Sequence, residues 1–480
     1  MLFNSYSFLF LFWPVMLGLY LWCAKRHGRE LLWLLMLAGS LVFYGWNSVR
    51  YLPVLLGSMA VNYGIGFKLC GGTEEQQDGN RKKSLLAAGL LIDILLLACF
   101  KYLDTGTYKP LSISFFTFTQ IAFLMECYRG NLKRTGFLPY GIYVTWFPKM
   151  IQGPIALPGE ILPELEKKAS FVGWEKLYRC CYLFVLGLFK KVLIADTLGK
   201  AVDLGYESLG TLNSADAVIV MLAYTLQLYF DFSGYCDMAM GISGSFGLEL
   251  PLNFDSPYRA ANILEFWKGW HITLTCFFTK YLYIPLGGNR KGRMRTYWNC
   301  LLVFVISGLW HGEGINFLIW GLMHGGLYVL TRWLLDMRGT KERREGKLCH
   351  GVKVFLTFLY VNAAWVFFRA ADPGEAISLF KIMLSGKGGR LNWNLAGCFN
   401  LDEFWYVIKV LHLDSWQYAH YILMLLILAL LLLLIFFAPS AVNYTKKVKP
   451  GIGNGIVMAV LFVWSVLSLS GVSTFLYVNF

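Results

Sequence analysis

The sequence predicts an all-α polytopic membrane protein, and three observations carry that prediction. The 480 residues are 57% hydrophobic and only 15% charged, with a mean hydropathy of +0.52; an ordinary soluble domain has roughly 45–50% apolar and about 25% charged residues. Apolar windows approaching the ~20 residues that a helix needs to cross a bilayer recur along the chain. These windows do not alternate apolar and polar residues as membrane barrel strands do; Leu430–Leu434 is unbroken leucine. A cytosolic globular enzyme, a disordered chain and a disulfide-stapled secreted module are therefore excluded as readings of the whole chain.

The clearest windows in the first half are Phe8–Cys23, Leu31–Trp46, Leu52–Phe67, Leu85–Phe100, Leu111–Cys127, Tyr178–Ala195 and Val218–Phe232. Tyr297–Trp310, Ile315–Leu335, Val352–Phe368, Tyr421–Phe437 and Ile456–Leu469 follow. The first reads as a span and not as a removed signal peptide, being long and without a small-residue cleavage site.

Charge follows the same division. The chain carries 43 Lys and Arg against 29 Asp and Glu, a formal charge of +14. About half of the basic residues fall in clusters between spans: Lys25, Arg26 and Arg29; Lys68, Arg81, Lys82 and Lys83; Arg129, Lys133 and Arg134. The later clusters are Arg290, Lys291, Arg293 and Arg295; Arg338, Lys341, Arg343, Arg344 and Lys347; and Lys446, Lys447 and Lys449. Positive loops stay cytoplasmic, and one orientation with the N-terminus outside suits them all. The acidic segment Asp196–Asp216 then lies outside. The charge reads as topology, with no nucleic acid among the expected partners, since no nucleic-acid motif accompanies it.

Between Gly141 and Pro285 two full crossings keep both flanks cytoplasmic, so the remainder must be re-entrant or interfacial. Gly141–Pro158 contains Pro148, Pro154 and Pro158, and Gly234–Pro257 is rich in glycine and acids. Broken backbone at membrane depth persists only where protein or a water-filled cavity covers it, which marks the central third as the functional core. The eleven Cys form no C-x-x-C pair and no zinc spacing; they read as small buried hydrophobes.

Ionisable groups at membrane depth mark function by default. They concentrate in Tyr229–Met238, with Asp231 and Asp237, and in Leu250–Gly288, with Asp255, Arg259, Glu265, Lys268, His271 and Lys280, beside the polar Asn253, among aromatics. Asp231 and Asp237 suit a cation partner or a helix cap. Ser307–Gly325 adds His311, beside Trp310 at the turn between two spans, and His324. Of the seven histidines, His27 and His350 adjoin basic loops and read as solvated, and His412 and His420 flank a span. His271 and His311 sit in aromatic, glycine-bearing segments, where an imidazole can take and return a proton near neutral pH. His324 lies thirteen residues after His311, roughly 140° away around one continuous helix, and is expected to be a core residue. The sequence has no His pair at i, i+4 and no G-x-S-x-G elbow, so neither a metalloprotease-type site nor a hydrolase-type serine is expected, and no metal.

At these residues the sequence resembles the membrane-bound O-acyltransferase (MBOAT) family, in its bacterial alginate O-acetylation branch. The likeness runs through nearly the whole chain: the opening MLFNSYSFLFLFWPV, SISFFTF at Ser112–Phe118, YRG at Tyr128–Gly130, FPKMIQGPI at Phe147–Ile155, then YFDFSGYCDMAMG, PLNFDSPY, EFWKGWHITL, YIPLGG, GLWHG and WGLMHG. The resemblance implies a single membrane domain over 1–480, divided into N-terminal helices (1–140), a catalytic core (141–336) and C-terminal helices (337–480). It implies about 11–12 transmembrane helices with re-entrant or interfacial helices around a central tunnel. It also implies a bacterial cytoplasmic-membrane location, His311 as the catalytic histidine, and His271 as the second site histidine. The implied reaction moves an acyl group from a cytosolic thioester, acetyl-CoA for this branch, to an exported polysaccharide or cell-wall glycan, through an extracytoplasmic acetyltransferase partner. No bound cofactor is implied.

Trp267, Trp270 and Trp310 are expected to wall the acyl path and exclude water. Asn253 and Asp255 are expected to orient a histidine or to line the donor path, a helix cap or turn being the alternative for both. The cluster from Arg290 to Arg295 suits either CoA phosphates or lipid headgroups. Competing readings are D-alanyl transfer to an envelope polymer and a transporter without chemistry, which broken helices and midplane acids suit as well.

Overall fold

The computed structural model describes residues 1–26, 28–46, 48–71, 79–103, 110–167, 171–338, 346–401, 405–413, 416, 418–471 and 475–476. His27, Lys341, Arg343 and Arg344 lie outside the described residues.

The helices in chain order are α1 (Trp13–Arg26, entered through a π-helical turn at Phe8–Phe12), α2 (Arg29–Gly45), α3 (Leu52–Leu69), α4 (Gly79–Tyr102), α5 (Ile113–Tyr128), α6 (Phe137–Thr145), α7 (Phe147–Met150), α8 (Pro158–Glu166), α9 (Trp174–Phe189), α10 (Asp196–Glu207) and α11 (Ser214–Ser245). Then come α12 (Ile263–Gly269), α13 (Ile272–Phe278), α14 (Arg293–His311), α15 (Ile315–Arg338), α16 (Lys347–Arg369), α17 (Pro373–Leu384), α18 (Trp393–Gly397), α19 (Trp405–Val410), α20 (Ala419–Phe437), α21 (Ala441–Thr445) and α22 (Ile452–Leu467). No strand occurs among the described residues.

All twelve apolar windows are helical to within two residues at their ends. Among the described residues six helical segments are long and apolar enough to cross a membrane by themselves: Phe8–Lys25, Val49–Leu69, Gly79–Tyr102, Ser214–Ser245, Lys347–Arg369 and Ala419–Phe437. α5 and α22 are apolar but shorter, and α2 stops at 17 residues. The protein is an all-α, multi-pass membrane protein.

One expectation is corrected. The stretch Gly234–Pro257 is not broken throughout: α11 runs without interruption for 32 residues to Ser245 and passes through Gly234, Gly241 and Gly244. The glycines serve close approach. A Cβ on Gly241 would lie 2.6 Å from the Cys180 carbonyl oxygen and 2.9 Å from the Phe184 nitrogen of α9. Small residues let membrane helices approach backbone to backbone. The break comes later, from Gly247 (φ +82°) onward. Gly141–Pro158 is broken as expected: α6 ends at Thr145, the four-residue α7 follows, and an irregular stretch leads to α8, which Pro158 starts.

The chain forms two compact units. The first comprises 1–188, 235–252 and 445–461, and the second 189–234, 253–444 and 462–480. The first unit buries an aromatic core in which Phe43 meets Phe3, Phe8, Phe12 and Phe147. Its buried polar groups are partly paired: the Asn62 amide donates to Asp93 (2.8 Å), and Ser58 donates to Gln120 (3.2 Å). In the second unit Lys191, on a π-helical turn after α9, is buried between Asp196 (2.8 Å) and Asp231 (2.7 Å). Asp231 is thus ion-paired, and the Leu476 backbone N–H also donates to it.

Candidate active site

The second unit holds both expected histidines. Before His271 the chain makes a short capped helix. The Asn262 side chain accepts from the Leu264 and Glu265 backbone N–H groups, and Glu265 accepts in return from the Ala261 N–H. This arrangement starts α12 by satisfying N–H groups that have no intrahelical partner. Seven residues later the helix ends against a strap formed by Asn253–Asp255. Asp255 N–H donates to the Gly269 carbonyl (2.9 Å), and Ile272 N–H donates to the Asn253 carbonyl (3.0 Å). Gly269 is needed for this approach, since a Cβ there would lie 2.7 Å from the Asp255 oxygen.

The strap fixes His271. Its φ of +44° is left-handed, an uncommon state for a residue with a side chain, and it turns the chain into α13. The residue is 1% exposed. Nδ1 lies 3.1 Å from Asn253 Oδ1, which also accepts from the Thr273 backbone N–H (3.2 Å) and hydroxyl (2.8 Å). A backbone N–H can only donate, so the Asn253 atom is the oxygen and His271 Nδ1 must carry the hydrogen. That leaves Nε2 as the lone-pair nitrogen, buried and without a hydrogen-bond partner among the described residues.

His311 is placed by different means. It is the last residue of α14, and Gly312 ends the helix in extended backbone. α14 and α15 form a close hairpin: a Cβ on Gly321 would lie 2.6 Å from the Phe304 oxygen, and one on Gly308 would overlap the Phe317 oxygen. His311 is 3% exposed. Rings surround it: Trp310 at 4.6 Å, Trp320 at 5.0 Å and Phe368 at 5.1 Å. The Asn316 amide donates to the Phe367 (3.1 Å) and Ala370 (2.6 Å) carbonyls, which holds the end of α16, and with it Phe368, beside the start of α15.

One aromatic cluster joins the two histidines. From His271 it passes through Phe232, Phe254, Trp270, Trp365 and Trp320 to His311, with successive ring centroids 4.8 to 5.7 Å apart. Trp267, Trp270 and Trp310 are all buried in or against it. Asn253 contacts His271 directly. Asp255 does not join it: its carboxylate accepts from Asn443 (3.0 Å). Arg290–Arg295 is exposed throughout.

Several residues of the cluster were not expected from the sequence. Trp320, Trp365 and Phe368 wall it, and Thr273 shares the Asn253 oxygen. His324 also belongs to it, 4.9 Å from Trp320. The angle that separates His311 from His324 holds for one continuous helix, whereas the chain turns at Gly312 and places them on antiparallel neighbours. The spacing of Trp320 and His324, i and i+4 on one face, was the readable signal. Beside the cluster lies a mostly apolar cavity of about 380 Å³, lined among others by Trp267, Ile272, Tyr283, Phe304, Ser307 and Arg332. No group of three or more His, Cys, Asp or Glu side chains suited to a metal occurs among the described residues.

Arranged this way, the site offers a lone-pair imidazole in a dry, ring-walled space, the condition for taking a proton from a hydroxyl without exposing a reactive acyl group to water. The family model for MBOAT, the membrane-bound O-acyltransferase family, matches residues 96–367. The chain is 37% identical over 433 residues to the peptidoglycan O-acetyltransferase of Helicobacter pylori, covering 81% of this chain and 80% of that one. It is 35% identical over 406 residues to a probable alginate O-acetylase of Pseudomonas aeruginosa, covering 80% and 75%. A teichoic acid D-alanyltransferase of Streptococcus thermophilus is 27% identical over 289 residues, covering 54% and 68%.

Proposed function

Since the chain belongs to the membrane-bound O-acyltransferase family and is an acyltransferase, we propose that it transfers acetyl groups from cytosolic acetyl-CoA for O-acetylation of a cell-envelope glycan. An extracytoplasmic acetyltransferase takes the group on to an exported polysaccharide or to peptidoglycan. The protein sits in the bacterial cytoplasmic membrane with its N-terminus outside. The observation that carries this reading is a pair of buried imidazoles on one aromatic cluster.

In the reaction, an acceptor hydroxyl attacks the thioester carbonyl. His311 takes the hydroxyl proton, the C–S bond breaks, and the proton passes to the leaving CoA thiolate. His271, with Nδ1–H committed to Asn253, presents Nε2 as a second acceptor that shares the proton His311 has taken before it reaches the thiolate. Trp267, Trp270 and Trp310 exclude water. The higher identity and wider coverage of the O-acetylating relatives favour acetyl over D-alanyl transfer. Family membership displaces the transporter reading.

The test is incubation of the purified protein with radiolabelled acetyl-CoA, a glycan acceptor and the extracytoplasmic enzyme. Label should reach the glycan with wild-type protein and not with His311→Ala. Transfer only from a D-alanyl carrier-protein thioester would overturn the donor assignment.

A further inference from the structure

The proposed reaction uses two histidines, and the same cluster holds a third. His324 lies on α15, one turn after Trp320, and is fully buried. Its ring stands edge-on to Trp267 (5.2 Å) and Trp320 (4.9 Å), lies parallel to Phe266 (6.1 Å) and tilts against Trp365 (5.7 Å). Among the described residues neither of its ring nitrogens has a hydrogen-bond partner, and the indole N–H groups of Trp267 and Trp320 have none either.

Buried polar groups in folded proteins are nearly all partnered, and exceptions need a reason. A ring there only to fill space between tryptophans would serve better as phenylalanine, which brings no nitrogen into an apolar wall. A histidine flanked by two such indole donors marks a place where a polar ligand is received. The indoles can only donate, and a neutral imidazole donates from one nitrogen. The matching ligand group is an oxygen acceptor.

The neighbouring cavity indicates where that group comes from. Trp267 and Phe304 line the cavity of about 380 Å³, while His324 does not. Trp267 therefore forms a wall shared by the cavity and His324. The cavity also borders Arg332, two turns along α15 from His324, and Ser307, one turn before His311. Its apolar body with an arginine at its edge suits a flexible arm that carries amide and thioester carbonyls behind a phosphate.

We infer that His324 is a substrate-contacting residue that hydrogen-bonds a carbonyl oxygen of the acyl donor's arm once the arm has displaced the Trp267 ring that stands between His324 and the cavity. This rests on the proposed thioester reaction and adds to it a residue that selects the donor.

The experiment compares wild type, His324→Gln, His324→Phe and His324→Leu as full-length protein in lipid nanodiscs, with acetyl-CoA as donor, reading kcat, donor KM and thermal unfolding. His324→Gln keeps an amide donor and should hold KM within about threefold. His324→Phe and His324→Leu should raise donor KM about tenfold or more, with Phe unfolding no earlier than wild type. If Phe fails to fold, the contrast between Gln and Leu decides. A hydrophobic variant that matches or outperforms Gln overturns the inference and leaves the proposed function standing. A wild-type protein that is inert toward acetyl-CoA overturns both.

Discussion

His271 and His311 are both buried imidazoles in aromatic surroundings, and the chain places them on different frameworks. His271 is held by hydrogen bonds: a strap of backbone pairs, a left-handed φ, and one amide oxygen that serves its Nδ1, a backbone N–H and a hydroxyl. His311 stands at the end of a helix, beside a glycine-to-glycine hairpin and against the rings of Trp310, Trp320 and Phe368. The contrast teaches that one ring has its tautomer set by its neighbours, while the other stands at a helix end among packed rings. The first suits a fixed acceptor. The second suits a group that must gain and lose a proton during turnover.

Removing each ring in turn breaks the comparison most directly. His311→Ala should reduce acyl transfer by about 10³-fold or more, within the range for losing a general base, while the protein stays folded and membrane-inserted by size exclusion and protease protection. His271→Ala should cost about 10²-fold, at the lower end of the same range. Reversed magnitudes would exchange the two roles.

Asn253→Leu sharpens the hydrogen-bonded side. It strips the acceptor from His271 Nδ1 and from both Thr273 donors, and should lower stability by about 1–3 kcal/mol with roughly tenfold lower turnover at unchanged donor KM. Asn253→Asp, which keeps an acceptor oxygen, should recover part of the turnover. Equal activity of the Leu variant would show that the strap alone orients His271.

Gly308→Ala probes the hairpin beside His311. The added methyl must displace the Phe317 carbonyl and part α14 from α15. Overpacking of this kind costs about 1–3 kcal/mol, so thermal unfolding should come earlier and turnover should fall. Gly326→Ala is the control and should neither bring unfolding earlier nor lower turnover, because a Cβ there meets nothing within 4 Å and Ala is the better helix former.

The smallest effect expected is at the edge of the first unit. Lys176 donates to Glu249 at 2.6 Å and holds its carboxyl below the usual value of 4.5. The folded pKa is depressed, so the pair contributes stability above about pH 4.5 and loses it as pH falls through the lower folded value. Both side chains are well exposed, and screening limits the contribution to under about 1 kcal/mol. Lys176→Ala should shift an acid-unfolding midpoint slightly upward and leave transfer unchanged at neutral pH.

Much of the molecule was legible in the sequence. Every apolar window proved helical, because a span's composition is a local property. His271, His311, Asn253 and the three tryptophans could be picked out because polar and aromatic groups at membrane depth are rare enough to stand out. Asp255 could not be told from Asn253 on that basis. Both sit on the strap before α12, but the chain bends at Asp255, and one side chain meets His271 while the other meets Asn443. The glycines of α11 misled because sequence alone does not separate a glycine that breaks a helix from one that admits a neighbour.

The sequence by itself determined the helical membrane class, the family and the candidate histidines, since periodicity, composition and motif order depend on nearby residues. Only the tertiary structure decided which nitrogen of His271 carries its hydrogen, and that Trp320, His324, Trp365 and Phe368 close around the same space as His311. Those facts depend on contacts between helices far apart in the chain, or on a turn at one glycine; the i, i+4 spacing puts Trp320 and His324 on one face but does not say what that face meets.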